Sequence, residues 1–149
     1  MIGYFDSSSI APILIHEASE QRCRALWQDA SQIVTSRVTY VEAQSAIAAA
    51  VRSSRIDLAQ ASSARTLLDD MWREVHVMEL TPDLMYGAVA CAHEYALRGF
   101  DAIHCASAMT LGGVDVLAVS GDKHLLRAWL RGGLAVADMS TVYGGGDQS

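Results

Sequence analysis

Four acids stand where this chain could assemble hydrolytic chemistry: Asp6, Glu42, Asp101 and Asp122. Asp6 directly follows the apolar run Ile2-Gly3-Tyr4-Phe5, and Asp122 follows Val116-Leu117-Ala118-Val119-Ser120-Gly121. Glu42 falls in the first turn of an expected helix after Ile33-Val34, and Asp101 opens another after Gly99-Phe100. Carboxylates brought together repel: two about 4 Å apart cost roughly 4 kcal/mol at an effective dielectric of about 20, and one then tends to keep its proton. A divalent cation reverses the sign of that interaction. Mg²⁺ and Mn²⁺ prefer oxygen ligands, and Mg²⁺ takes only one or two carboxylates while keeping several waters. Further acids can orient those waters from outside. Such an arrangement activates water against a phosphodiester.

Each acid also has a plainer role open to it. Thr39-Tyr40-Val41-Glu42 has the spacing of a capping box, with Glu42 reaching back to the Thr39 amide. Asp101 and Asp122 suit the N-cap positions of the helices they begin. Asp6, followed by Ser7-Ser8-Ser9, could cap a helical turn in the same way. Capping does not require the four to converge, whereas Asp6 and Asp122 both end apolar strands.

The elements that must position these acids are legible as short apolar runs alternating with longer amphipathic stretches. Strands are expected at Ile2–Phe5, around Ile33-Val34 and over residues 75–80, 114–119 and 134–137. Helices are expected over 17–30, 39–52, 58–73, 82–98, 101–111 and 122–131, with Pro82 in a first turn and Gly99 as a stop. That alternation predicts a mostly parallel sheet covered on both faces. In such sheets ligands bind in the crevice at the carboxyl ends of the strands, where the acids fall.

The chain has 149 residues, 51% of them apolar, enough for one domain with its own core. Residues 1–143 are expected to form that domain, and Gly144-Gly145-Gly146 begins a loose tail over 144–149. No run of 18 or more uncharged apolar residues exists, so no membrane span is expected. The first residues lack the basic segment and long apolar run of a signal peptide, and a cytoplasmic location is the expectation. Cys23, Cys91 and Cys105 show no metal-ligand spacing and read as buried thiols. A net charge of −6 argues against broad electrostatic binding to nucleic acid, although cations gathered by the acids would cancel part of it. Every basic residue except Lys123 is an arginine, a side chain suited to bidentate phosphate contact. His104, three residues after Asp101, shares its helix face and is either a metal ligand or a group that packs and hydrogen-bonds beside the site.

Four segments carry a family likeness: Tyr4-Phe5-Asp6-Ser7-Ser8-Ser9-Ile10, Thr35-Ser36-Arg37-Val38-Thr39-Tyr40-Val41-Glu42-Ala43, Phe100-Asp101-Ala102-Ile103-His104-Cys105-Ala106-Ser107-Ala108 and Val119-Ser120-Gly121-Asp122-Lys123-His124-Leu125-Leu126. With them the chain resembles PIN-domain ribonucleases, in particular the VapC-type toxins of toxin–antitoxin pairs. The resemblance implies a three-layer α/β/α sandwich and Mg²⁺- or Mn²⁺-dependent endonucleolytic cleavage of RNA. It also implies a homodimer and a small antitoxin protein as inhibitor. Carried over by motif, Asp6 and Asp101 are the principal metal ligands, with Glu42 and Asp122 completing the four. Ser8 matches the family's small hydroxyl residue two places after the first acid, and Ser120 would support Asp122.

Two other classes compete. In a haloacid-dehalogenase-like phosphatase Asp6 would be a covalent nucleophile, but Ser8 stands where the second acid belongs and Lys123 follows the last acid instead of preceding it. A non-catalytic module that binds RNA or a partner would not need all four acids. A processing nuclease outside any toxin system shares the chemistry and differs only in context.

Overall fold

The structure, a computed structural model, describes residues 1–113 and 115–141. The elements run β1 (Ile2–Phe5), α1 (Ser7–Leu14), α2 (Glu20–Asp29), β2 (Gln32–Ser36), α3 (Val38–Arg52), α4 (Leu58–Trp72), β3 (His76–Met78), α5 (Pro82–Tyr95), α6 (Gly99–Leu111), β4 (Val116–Ser120), α7 (Lys123–Arg131) and β5 (Ala135–Asp138). The strands form one sheet in the order β3-β2-β1-β4-β5, and every pairing is parallel. Parallel neighbours need crossover connections, so all the carboxyl ends share one edge.

Strand alternation sends successive side chains into two different cores. Tyr4, Val34 and Ala118 face one core, filled by α5, α6 and α7 through Leu84, Ala88, Ile103, Ala106, Leu125 and Trp129. Phe5, Ile33 and Val119 face the other, where Ile10, Ile13, Ala43, Ile47, Ala64 and Leu68 come from α1, α3 and α4, with Cys23 from α2. The result is the expected three-layer α/β/α sandwich, and the central β1 and β4 are apolar up to Ser120, the last residue of β4, because both faces are covered.

Local signals hold where their chemistry is complete. Asp57 and Gln60 form a reciprocal capping box at the start of α4, with the Gln60 amide 2.7 Å from Asp57 Oδ1 and the Asp57 amide 2.9 Å from Gln60 Oε1. Thr81 caps α5 just ahead of Pro82.

Three expectations need correction. After Asp6 the sequence offers only a helical turn that Asp6 could cap, with no element expected before residue 17. Yet α1 forms, capped by Asp6 and burying Ile10, Ala11, Ile13 and Leu14. Helix α5 ends earlier than Gly99, at Ala96, which takes the left-handed conformation itself (φ 53°). Gly99 accordingly starts α6 instead of stopping α5. Strand β3 is also shorter than the alternation suggests, since it is an edge strand paired only along Val34–Ser36 of β2.

The expected domain boundary at 143, the tail over 144–149 and Val114 of the fourth strand lie outside the described residues. Among the described residues no helix is long and apolar enough to cross a membrane. The three cysteines are buried and unpaired, and burial pushes the Cys23 and Cys105 thiols up, away from the reactive thiolate.

Candidate active site

Asp6 lies one residue past β1, in register with the end of β4, where its amide meets the Val119 carbonyl. It is buried (4% exposed) and surrounded by donors. The Ser8 hydroxyl is 2.7 and 2.9 Å from its two oxygens, the Ser120 hydroxyl 2.7 Å from Oδ2, and the Ser9 amide 3.1 Å from Oδ1. Both hydroxyls are themselves fed by backbone: Gly121 donates to Ser8 Oγ at 2.7 Å, and Asp122 donates to Ser120 Oγ at 2.9 Å. An oxygen that accepts from an amide keeps its one hydrogen for the carboxylate. Two amide–hydroxyl relays therefore converge on Asp6 and tie the β1 and β4 ends together. Burial raises the Asp6 carboxyl above its usual range, against the charge of His104 and the hydrogen bonds from Ser120, Ser8 and Ser9.

Asp122 is a helix cap in fact. Its Oδ1 accepts the His124 and Leu125 amides at 2.8 and 3.1 Å, which fixes the side chain at the N-terminus of α7 and leaves Oδ2 outside the cap. Asp6 also caps, for α1.

The other two acids do not cap, which corrects the plainer reading of each. Helix α3 begins at Val38, ahead of Thr39, so the expected capping box does not form. Thr39 turns inward instead, 2.7 Å from the Thr35 hydroxyl, which lies 2.6 Å from the Phe5 carbonyl. Glu42 is then released toward α6, where its Oε1 stands 2.6 Å from His104 Nε2. Asp101 sits in the first turn of α6, whose cap position is Arg98. Among the described residues it accepts no hydrogen bond. Burial raises its carboxyl, and the nearby negative charges of Asp122, Asp6 and Glu42 raise it further, with His104 pulling the other way.

The fold thus brings Asp6, Glu42, Asp101 and Asp122 within reach of one another's charge at the carboxyl edge of the sheet, around one imidazole. Among the described residues no three acid, histidine or cysteine side chains are drawn into a ready cage. Uncompensated carboxylates repel, and a Mg²⁺ held by one or two of them needs no such cage. The donors fit a hard cation: they are carboxylate oxygens, and Asp101 is destabilised by charge that a cation would neutralise.

His104 was the residue with two readings. Both ring nitrogens are occupied, Nε2 by Glu42 and Nδ1 by the Tyr4 hydroxyl at 2.8 Å, so the packing and hydrogen-bonding reading holds. Burial works against its charged form, but the Glu42 hydrogen bond and the charges of Asp6, Glu42 and Asp101 outweigh that, and its pKa is raised. Sequence reasoning did not single out Tyr4. The available signal was strand alternation, which puts residues 4 and 6 on the same side of β1.

The PIN domain family model matches residues 3–128. Ribonuclease VapC45 of Mycobacterium tuberculosis (strain CDC 1551 / Oshkosh) is 32% identical over 122 residues, spanning 82% of this chain and 85% of that protein. Ribonuclease VapC49 of Mycobacterium tuberculosis (strain ATCC 25618 / H37Rv) matches to the same extent. Among solved structures, PAE2754 from Pyrobaculum aerophilum superposes with a TM-score of 0.66 at 22% identity, covering 94% of this chain and 85% of that one. A toxin–antitoxin complex from Klebsiella pneumoniae contributes a chain with a TM-score of 0.63 at 17% identity, covering 92% and 97%.

Proposed function

The chain belongs to the PIN domain family, and from that premise we propose that it is a divalent-metal-dependent endoribonuclease, the toxin of a toxin–antitoxin pair. The observation that carries the reading is Asp6, a buried carboxylate fixed by two amide–hydroxyl relays with three more acids beside it. A phosphatase nucleophile must be open to attack phosphorus, whereas Asp6 is enclosed by donors, and the family match removes that alternative.

Asp6 and Asp101 would hold Mg²⁺ or Mn²⁺. When bound, the ion supplies positive charge to the scissile phosphate and lowers the pKa of water. The chain's own groups then do the positioning. Ser8 and Ser120 keep Asp6 in one orientation, and the helix cap leaves Asp122 with one oxygen to orient water. Glu42, held by His104, would likewise orient water. In-line attack of that water on phosphorus breaks the bond to the 3′-oxygen and leaves 5′-phosphate and 3′-hydroxyl ends.

RNA as substrate and a small inhibitory antitoxin follow from the named relatives and belong to this reading, as does a homodimer. Met85, Tyr86 and Val89 form an exposed apolar stretch of α5 that a second copy would cover.

Cleavage of a mixed RNA pool with Mn²⁺, Mg²⁺ or EDTA, beside Asp101→Asn, tests the proposal. Cutting that needs the metal and falls at least 100-fold in the variant is the expected result. A loss of less than tenfold overturns the assignment of Asp101.

A further inference from the structure

We propose that His104 is a positioning residue that fixes the Glu42 carboxylate at the acid edge through a buried hydrogen-bond chain anchored on Tyr4. The inference rests on the nuclease reading and adds to it a residue that acts without touching metal or substrate.

The chain crosses three elements. Tyr4 on β1 is fully buried, and its hydroxyl meets His104 Nδ1 on α6 at 2.8 Å. Their rings pack edge to face, 6.0 Å between centroids. His104, 1% exposed, then meets Glu42 of α3 through Nε2 at 2.6 Å. Ser107, one turn further along α6, gives its hydrogen to the Ile103 carbonyl at 2.7 Å. The imidazole is thus held on both sides and cannot rotate away without leaving a buried polar group unpaired.

Glu42 needs such a hold. It has three rotatable bonds, lies at the edge of the fold, and faces carboxylates that repel it toward solvent. Among the described residues the imidazole is its one hydrogen-bond partner. The strength of a charge-assisted bond is what opposes the lost side-chain entropy.

A purely structural histidine would not be built this way. A buried polar pair gives little stability over apolar side chains of similar shape, and the neighbours of His104, Ile103 and Cys105, are apolar. The chain runs from the core outward and stops on a half-buried carboxylate beside Asp101. A metal-ligand role is excluded by the same geometry, since both nitrogens are engaged.

The test combines His104→Leu, Glu42→Gln and the double variant in the full chain, with three readouts. In the metal-free protein, proton NMR should show a ring N–H of His104 far downfield, moving upfield in Glu42→Gln. Calorimetry with Mn²⁺ alone should show about tenfold weaker binding in His104→Leu. RNA cleavage should lose about 10- to 100-fold in kcat with KM for RNA unchanged. In the Glu42→Gln background the His104 substitution should change affinity and kcat by less than about twofold, because its route is already cut. Tyr4→Phe, which breaks only the far link, should give a smaller loss in the same direction and serves if His104→Leu does not fold. Losses that multiply in the double variant, or an N–H resonance indifferent to Glu42→Gln, overturn the proposal. A wild-type protein that cuts no RNA while keeping the resonance and its Glu42 dependence overturns the nuclease reading and leaves the hydrogen-bond chain standing.

Discussion

The acid edge has two halves that are built differently. On the β1–β4 half, Asp6 and Asp122 are wired into the backbone: Asp6 receives two serine hydroxyls and an amide, and Asp122 receives two amides of α7. On the α3–α6 half, Glu42 has one imidazole and Asp101 has no donor among the described residues. The wired acids hold the chain together whether or not a cation is present. Asp101 contributes repulsion instead, which a cation would relieve. One site therefore contains carboxylates with structural work and a carboxylate whose work begins only with a ligand.

The sharpest way to break that contrast is to remove one acid from each half. Asp6→Ala strips the acceptor from two buried hydroxyls and one amide. It should abolish cleavage and lower unfolding free energy in EDTA by about 2–4 kcal/mol, read from urea denaturation. Asp101→Asn should lose activity as stated above yet leave metal-free stability unchanged or higher. Equal destabilisation by the two would mean that the halves do not differ.

The pH dependence of the metal-free protein sharpens the same point. Asp6 and Asp101 have raised pKa values in the fold, so the native state binds their protons more tightly than the unfolded chain does. Their charged forms cost stability at neutral pH, and that cost is relieved as pH falls through the folded values. His104, also raised, adds the same sign: its contribution is complete below its unfolded pKa and lost as pH rises through the folded one. The thermal midpoint in EDTA should rise as pH falls from about 7.5 to 5.5. It should decline at lower pH, where Glu20, kept low by hydrogen bonds from His16 and Arg24, takes up protons. Saturating Mn²⁺ should flatten the neutral limb, and Asp101→Asn should make the metal-free slope shallower. A midpoint indifferent to pH across that range in EDTA would show no uncompensated charge on the α6 side.

The smallest effect separates cap from chemistry at Asp122. Asparagine caps as well as aspartate, so Asp122→Asn should stay within about 0.5 kcal/mol of wild type, whereas Asp122→Ala should lose about 1 kcal/mol. Both should impair cleavage. Activity that tracks stability across the pair would leave Asp122 as a cap alone.

Much of the architecture is legible in the sequence. Apolar runs mark β1 and β4, alanine richness marks α3, one-sided apolar spacing marks α4, and the alternation of the two types implies parallel strands with acids at their ends. The errors fell where local chemistry was mixed. After Asp6 only a capped turn is legible, where burial of Ile10, Ile13 and Leu14 stabilises a full helix. Ala96 takes the left-handed conformation that glycine adopts more readily, three residues ahead of Gly99. At the site, Thr39 and Glu42 had the spacing of a reciprocal cap, and tertiary contacts drew them to opposite partners.

By itself the sequence determined which groups could meet: periodicity fixes which side of a strand or helix a residue occupies, and the parallel sheet fixes the edge where Asp6 and Asp122 emerge. It could not determine what each group would bond. Hydrogen bonds depend on distances of a few tenths of an ångström between segments as far apart in the chain as Tyr4 and His104, or Ser8 and Gly121. Those distances are set only when both cores close on the sheet, and it is that packing which makes Asp6 a fixed carboxylate, ties Glu42 to an imidazole and leaves Asp101 without a donor among the described residues.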